Sequence, residues 1–342
     1  MTGELDAAIA ELSAVVAAAP SVVPVGGRTH WDVGGTPTGA VEVRAPAGIV
    51  EHLPDELIVT VGGGTTVAEL DAVLAAAGQH CPLDPRDPAA TVGGTLAAGL
   101  SGPRRLRYRP LRDRVLEVHL VTGDGRRVKG GGRVVKNVSG YDVCRLAVGS
   151  LGTLGVIAQV TLRCEPRPAA SVWLACPYPG AEAVARAYRP ATVLTDGVRS
   201  SVLVEGAPAD LDDEAGRLGA SPDPDPLRLP VGPHRGRISV RPGAVEACGR
   251  ALADAGVPWV GEAGVGTVHV AVGDAELLGR ARAIAHAHDG WMLREAGAPD
   301  LDPFGVPLPA GDLQARVKAA LDPTGTCNPG RLPYLVTAGA PS

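Results

Sequence analysis

The 342-residue chain is poor in aromatics, with one Phe, four Trp and five Tyr. Its core must therefore be built from Val, Leu, Ile and Ala, and binding of single strands on stacked aromatic platforms is excluded. It also lacks an excess of basic charge. Thirty-seven acidic residues face 32 basic ones, a net charge of −5 and a pI near 5.9, which leaves no electrostatic footprint for nucleic acid. No C-x-x-C pair exists. Cys81, Cys144, Cys164, Cys176, Cys248 and Cys327 stand apart, which excludes a zinc knuckle, a redox dithiol or an iron–sulfur ligand set. Long apolar runs are missing too, since the best one, 146–162, is cut by Gly149, Gly152, Gly155 and Gln159. Glu4 and Asp6 stand where a signal peptide would carry Lys or Arg. The reading is a cytoplasmic protein with reduced thiols. What the chain has in quantity is glycine (46), proline (31) and 45% hydrophobic residues, enough for about two globular domains.

An Ala-rich amphipathic helix is expected over 4–19, stopped by Pro20. Short apolar runs then alternate with glycine clusters: 22–25 before Gly26-Gly27, and 57–61 before Gly62-Gly63-Gly64. Thr66 and Glu69 form a capping box for a helix with Val67, Leu70, Val73, Leu74 and Ala77 on one stripe. Residues 115–121 and 126–129 around Gly123-Asp124-Gly125 read as a hairpin. After Pro166 and Pro168 the pattern changes. Strand 237–241, helix 245–255, strands 258–261 and 267–272, helix 276–288 and strand 291–294 give the β-α-β-β-α-β order of a ferredoxin-like sandwich. Residues 221–226 read as a stiff linker before it, and 312–321 as a short helix after it.

Glycines that follow strands let backbone amides approach a phosphate. Three such clusters lie in the first half: Gly26-Gly27-Arg28-Thr29, Thr91-Val92-Gly93-Gly94-Thr95 and the run from Gly149 through Gly152 to Gly155. Together they suit an extended, phosphate-bearing cofactor, a dinucleotide better than a mononucleotide. A nicotinamide Rossmann unit fails, because Val67 occupies the third glycine position after Gly62 and no acidic residue ends the next strand. A P-loop fails because no Gly-Lys-Ser/Thr occurs. Gly62 to Gly64 read as a strand-to-helix turn.

In order along the chain, Val25 to Thr29, Ala90 to Ala97, Lys136 to Asp142 and Gly149 to Ile157 resemble the FAD-binding half of the vanillyl-alcohol-oxidase, or PCMH-type, flavoproteins. Leu321 to Gly330 resembles their ending. Ser101 to Arg105 and Lys136 to Asp142 are most similar to the FAD-binding subunits of bacterial glycolate oxidases. The likeness is close over about 20–168 and at the C-terminus, and thin between about 170 and 300. It implies an α+β fold with a two-lobed FAD-binding domain (1–168), a ferredoxin-like cap (169–310) and a helix and tail returning to the first domain (311–342).

The resemblance also implies site residues. Gly26, Gly27, Arg28, Thr29 and His30 would hold the pyrophosphate. Thr91, Val92, Gly93 and Gly94 would lie along flavin and phosphates, and Gly140, Tyr141, Asp142, Gly152, Gly155, Val156 and Ile157 would line the rest of the groove, with Pro82 and Ser101 completing the set. Some relatives attach FAD through a histidine directly after a glycine pair; here Arg28 and Thr29 intervene before His30, so non-covalent FAD is expected. The histidine motif of the family's hydroxy-acid dehydrogenases is missing, and no catalytic residue is assigned. His269 faces away from Val268 and Val270 on its strand, by default as a half-buried strand histidine. His286 and His288 cannot share a helix face. Arg241 and Arg331 are candidate carboxylate binders. The run Arg104, Arg105, Arg107, Arg109, Arg112, Arg114 is by default a solvated loop, with a partner contact as the other reading.

The implied function is that of an FAD-binding subunit of a glycolate-oxidase-like complex, oxidising glycolate or D-lactate to the 2-oxo acid. The implied partners are a second flavin-containing hydroxy-acid dehydrogenase subunit and an iron–sulfur subunit, through which the protein could sit peripherally at the inner membrane. Two alternatives stand beside it: a self-sufficient FAD oxidoreductase acting on another alcohol or hydroxy acid, and a non-catalytic FAD scaffold or electron relay. A nicotinamide-dependent reductase of cell-wall precursor type shares the domain plan and ranks lower.

Overall fold

The computed structural model describes residues 2–133, 142–305 and 310–332. They divide into two compact units. The first contains described residues 2–102, 110–133, 142–167 and 310–332; the second contains 103–109 and 168–305.

In the first unit α1 (Thr2–Ala18) buries Leu5, Ile9, Leu12 and Val16, the 4-3-4 spacing of one helical face. β1 (Val22–Pro24) pairs in parallel with β2 (Val41–Val43). Val22 and Val43 join the α1 side chains with Val121, Val156 and Cys327 in a small core. The chain continues through β3 (Ile49–Leu53), β4 (Ile58–Gly62), α2 (Val67–Ala76), β5 (Gln79–His80) and α3 (Val92–Ala98). The short helix α4 (Arg105–Tyr108) belongs to the second unit. The chain then returns as β6 (Val115–Val121), β7 (Arg127–Gly131), α5 (Val143–Ala147), β8 (Val156–Arg163) and β9 (Glu165–Pro166).

Five of these strands form an antiparallel sheet in the order β3-β4-β8-β6-β7, while β5 and β9 make a two-residue pair. A larger core packs α2 and α3 against the sheet through Leu70, Leu74, Val92, Leu96, Val118 and Leu162. The two cores are the two lobes expected from the sequence. The α2 capping box is present: Glu69 N–H donates to Thr66 Oγ1 at 3.1 Å, and Thr66 N–H to Glu69 Oε2 at 2.9 Å. Val73 departs from the expected stripe and is exposed.

The second unit contains two copies of one motif. The first is β10 (Ala170–Cys176), α6 (Gly180–Arg186), β11 (Thr192–Thr195), β12 (Ser200–Gly206), α7 (Pro208–Leu218) and β13 (Ser221–Pro222). The second is β14 (His234–Ser239), α8 (Val245–Asp254), β15 (Trp259–Glu262), β16 (Thr267–Val272), α9 (Ala275–Ala287) and β17 (Trp291–Ala296). Each is β-α-β-β-α-β. Their strands make a single eight-stranded sheet in the order β13-β10-β12-β11-β15-β16-β14-β17, so the copies meet through their second strands. The seam pairs Leu194 with Glu262 and Thr195 with Gly261, a register that leaves both helical layers on one face.

The sequence showed only the second copy. Residues 221–222, read there as part of a linker, are the edge strand of the first and pair with Leu174 and Ala175. Finally, α10 (Gly311–Leu321) leads back into the first unit.

Candidate cofactor site

The three glycine loops converge in the first unit. Gly26, Gly27, Arg28, Thr29 and His30 follow β1; Thr91, Gly93 and Gly94 open α3; Gly152, Gly155, Val156 and Ile157 enter β8. All twelve line one groove that encloses about 820 Å³ up to and including its open mouth. The loops pack so closely that backbone meets backbone. A Cβ on Gly27 would lie 1.8 Å from Ala89 O, and one on Gly63 would lie 1.9 Å from Ile157 O. These glycines thus permit loop-on-loop packing as well as approach to a ligand.

The groove is suited to an anion. Among the described residues, no acceptor meets the backbone N–H groups of Gly26, Gly27, Arg28 or Thr29. Consecutive free N–H groups in a turn form an anion-binding concavity. Thr91 caps α3, its Oγ1 accepting from Gly94 N–H at 3.2 Å. Among the described residues, the charged side chains of the lining are Arg28 and Arg331, with His30 beside them, and no carboxylate is among them. Arg28, held at a left-handed φ of 57°, pairs with Glu42 outside the groove. Two guanidinium groups stack on the Trp31 ring, those of Arg28 and Arg331 at 4.3 and 4.8 Å from its centroid. Arg331 also donates to the carbonyls of Trp31 (2.5 Å), Val33 (3.0 Å) and Gly35 (3.2 Å), so it clamps the loop after His30.

A buried staple holds the segment that carries Arg331. Lys318 of α10 donates to Thr153 O at 2.7 Å and to Cys327 O at 3.0 Å, and pairs with Asp322, which has no exposed surface. Asp322 accepts in turn from the N–H groups of Thr326 (3.0 Å) and Cys327 (2.9 Å). Val22 N–H donates to Thr326 O and Asn328 N–H to Val22 O, which aligns this turn beside β1.

Other expected site residues lie elsewhere. Val92 is fully buried in the larger core, and Pro82 is buried outside the groove lining. Ser101 Oγ accepts from Leu111 N–H at 3.1 Å. Asp142 caps α5, accepting from Arg145 N–H at 2.9 Å. Gly140 and Tyr141 are outside the described residues. Sequence reading missed Gly63 and Gly64, taken as a turn, together with Trp31, Leu151 and Asn328, all of which line the groove. From the sequence Arg331 reads only as a candidate carboxylate binder. The signal for Asn328 and Arg331 was the Asn-Pro-Gly-Arg end of the tail motif.

In the second unit His269 is fully buried, not half-buried, and lies 2.5 Å from Glu262, itself 1% exposed. Burial pushes the Glu262 carboxyl up, but the His269 hydrogen bond and the positive charges of His269, Arg237 and Arg105 bring it below its ordinary value. The arginine run is mostly engaged within the chain. Arg104 lies 3.6 Å from Glu205, Arg107 donates to Glu205 O at 2.6 Å, and Arg114 pairs with Glu165. Tyr108 OH donates to Glu205 at 2.5 Å, and burial together with that carboxylate pushes its phenol up. Arg241 pairs with Asp289 on the surface; neither it nor His286 or His288 lines the groove. All six thiols are buried and unpaired.

Residues 7–131 match the FAD binding domain family. All of the matched stretch except residues 103–109 lies in the first unit. Over 136 residues the chain is 44% identical to the glycolate oxidase subunit GlcE of Escherichia coli, covering 39% of each chain. It is 37% identical over 159 residues to a D-lactate dehydrogenase of Archaeoglobus fulgidus (46% of this chain, 36% of that one). It is 39% identical over 166 residues to the mitochondrial D-lactate dehydrogenase [cytochrome] of Arabidopsis thaliana (46% and 28%). The chain thus spans two fifths or less of the length of these relatives. A solved structure of alkyldihydroxyacetonephosphate synthase shares the fold, with a TM-score of 0.64 at 14% identity over 93% of this chain and 74% of that one.

The groove fits FAD on its own chemistry. Its free N–H groups suit a dianionic pyrophosphate, and Leu151, Val156 and Ile157 offer an apolar wall to a ring system.

Proposed function

We propose that the chain is the FAD-carrying component of a flavin-dependent 2-hydroxy-acid dehydrogenase, converting glycolate or D-lactate to the 2-oxo acid. The observation that carries the reading is the convergence of three glycine loops on a groove with, among the described residues, unpaired N–H groups and no carboxylate. When bound, FAD supplies the hydride acceptor. The protein's own residues bind and orient it: residues 26–29 through backbone amides, Thr91 by fixing the start of α3, and Arg331 by holding the following loop in place. FAD is held non-covalently, since Arg28 and Thr29 separate His30 from the glycine pair. Relatives named as glycolate oxidase subunits support work within a complex, with a second flavin subunit and an iron–sulfur subunit as partners. No helix among the described residues is long and apolar enough to cross a membrane. A cytoplasmic location, peripheral to the inner membrane through partners, belongs to the same proposal.

Two observations favour a second reading, an FAD-holding relay. Among the described residues the lining has no carboxylate to serve as a base, and His269 is buried against Glu262. The visible spectrum of the purified chain, before and after anaerobic glycolate and D-lactate, separates the two. Flavin bands that bleach support catalysis by this chain alone; bands that persist until partner subunits are added support the subunit or relay. No flavin bands after reconstitution with FAD would end both readings.

A further inference from the structure

The open amides after β1 belong to peptides whose other edges are tied down. Gly26 O accepts from Arg44 Nη1 at 3.0 Å, and Arg28 O accepts from Trp31 N–H at 3.2 Å. No cis bond occurs among the described residues, and in a trans peptide the carbonyl and the following N–H point in opposite directions. The bond to Gly26 O therefore turns Gly27 N–H away from Arg44, and the bond to Arg28 O leaves Thr29 N–H on the free edge of its peptide. Among the described residues neither N–H meets an acceptor. Between them Arg28 holds a left-handed φ of 57°, the conformation that lets successive N–H groups converge on an anion. Gly27 is exposed and Gly26 and Thr29 are half-buried, so a ligand has access to this stretch of backbone.

The two peptides are not equally secure. That of Arg28 is closed by a local turn, whereas that of Gly26 lies between two residues without Cβ, so no side chain of its own opposes a flip of the peptide plane. A flipped plane would present a carbonyl oxygen where an anion requires an N–H. Arg44 opposes the flip from outside. It directly follows β2, whose Val43 O accepts Val25 N–H at 2.8 Å and whose Glu42 pairs with Arg28, so one short segment grips the loop three times. Arg44 is itself exposed and is not part of the groove lining. We propose that Arg44 is a positioning residue for the diphosphate of the bound cofactor: by holding the Gly26 carbonyl on the outer side of the loop, it keeps Gly27 N–H presented to the groove. This rests on the FAD reading above.

The test is the FAD affinity of the purified full chain, read from flavin fluorescence, for wild type, Arg44→Met and Arg44→Lys, beside the urea midpoint of each cofactor-free protein. Arg44→Met removes the donor and is expected to weaken FAD binding about 10-fold. Arg44→Lys keeps a donor able to make one bond to a carbonyl and should recover most of the loss. The three urea midpoints should agree, because the bond removed is exposed. The affinity ratio of wild type to Arg44→Met should persist in about 1 M NaCl, where the screening length is about 3 Å and simple attraction between an exposed arginine and a phosphate is suppressed. Equal FAD binding by wild type and Arg44→Met overturns the inference and leaves the FAD reading standing. So does a lysine variant as weak as the methionine one, a ratio that vanishes in salt, or a urea midpoint that falls together with the affinity. A wild type that takes up no FAD overturns the FAD reading and this inference with it.

Discussion

The two units solve the burial of polar groups in opposite ways. In the first, the site is made of backbone: glycine loops pressed together, with N–H groups left open to a groove. In the second, charged side chains are buried and matched inside the chain, as in Glu262 with His269 and in Glu205 with Arg104 and Tyr108. Open donors prepare a surface for a ligand, while matched charges close one. The difference supports the proposal that the cofactor binds in the first unit, on physical grounds that are independent of any likeness to other proteins.

The comparison breaks most readily at the staple, where the first unit does rely on buried charge. Lys318→Met leaves Asp322 buried and unpaired and is expected to lower stability by about 3–5 kcal/mol, read from urea unfolding. A loss below about 1 kcal/mol would show that the tail turn is held by its backbone bonds alone. Gly63→Ala tests the loop packing: its Cβ has no room against Ile157 O, and a loss of roughly 3 kcal/mol is expected together with weaker FAD uptake.

In the second unit the matched pair should show in the pH dependence of stability. The Glu262 pKa lies below its unfolded value of 4.5, so its contribution is full above that pH and is lost as pH falls through the folded pKa. Glu262→Gln should flatten the acid limb of urea midpoints measured from pH 6 to pH 3; an unchanged limb would remove Glu262 as its source. The smallest effect is expected at Gly279, in the interior of α9, where an added methyl would meet no atom within 4 Å. There Gly279→Ala should stabilise by about 0.5–1 kcal/mol, the opposite sign to Gly63→Ala.

Legibility followed the same division. Glycine is a conspicuous residue, so loops 26–30, 91–94 and 152–157 were visible in the sequence, as was the second copy of the repeat with its alternating strands. The first copy was hidden because β11 has four residues and β13 two, too short for a period of two to show, and because proline in 221–226 read as linker. Gly63 and Gly64 were assigned to a turn, since nothing local tells that Ile157 and Ala45 press against them. The arginines of 104–114 looked solvated because Glu205, which anchors three residues of α4 and its start, lies about a hundred positions away. Asn328 carried a motif but no role, as its place in the lining is a property of packing.

The first unit is interrupted in sequence by most of the second, and Arg331 reaches carbonyls 296–300 residues earlier in the chain. On a ribosome adding about 5–20 residues per second, the loop after β1 waits roughly 15–60 s for its clamp. During that interval the repeat of the second unit can fold alone, while the groove lacks a wall. FAD loading therefore belongs after synthesis of the tail turn, and a nascent chain halted before residue 328 should carry the glycine loops without retaining the cofactor.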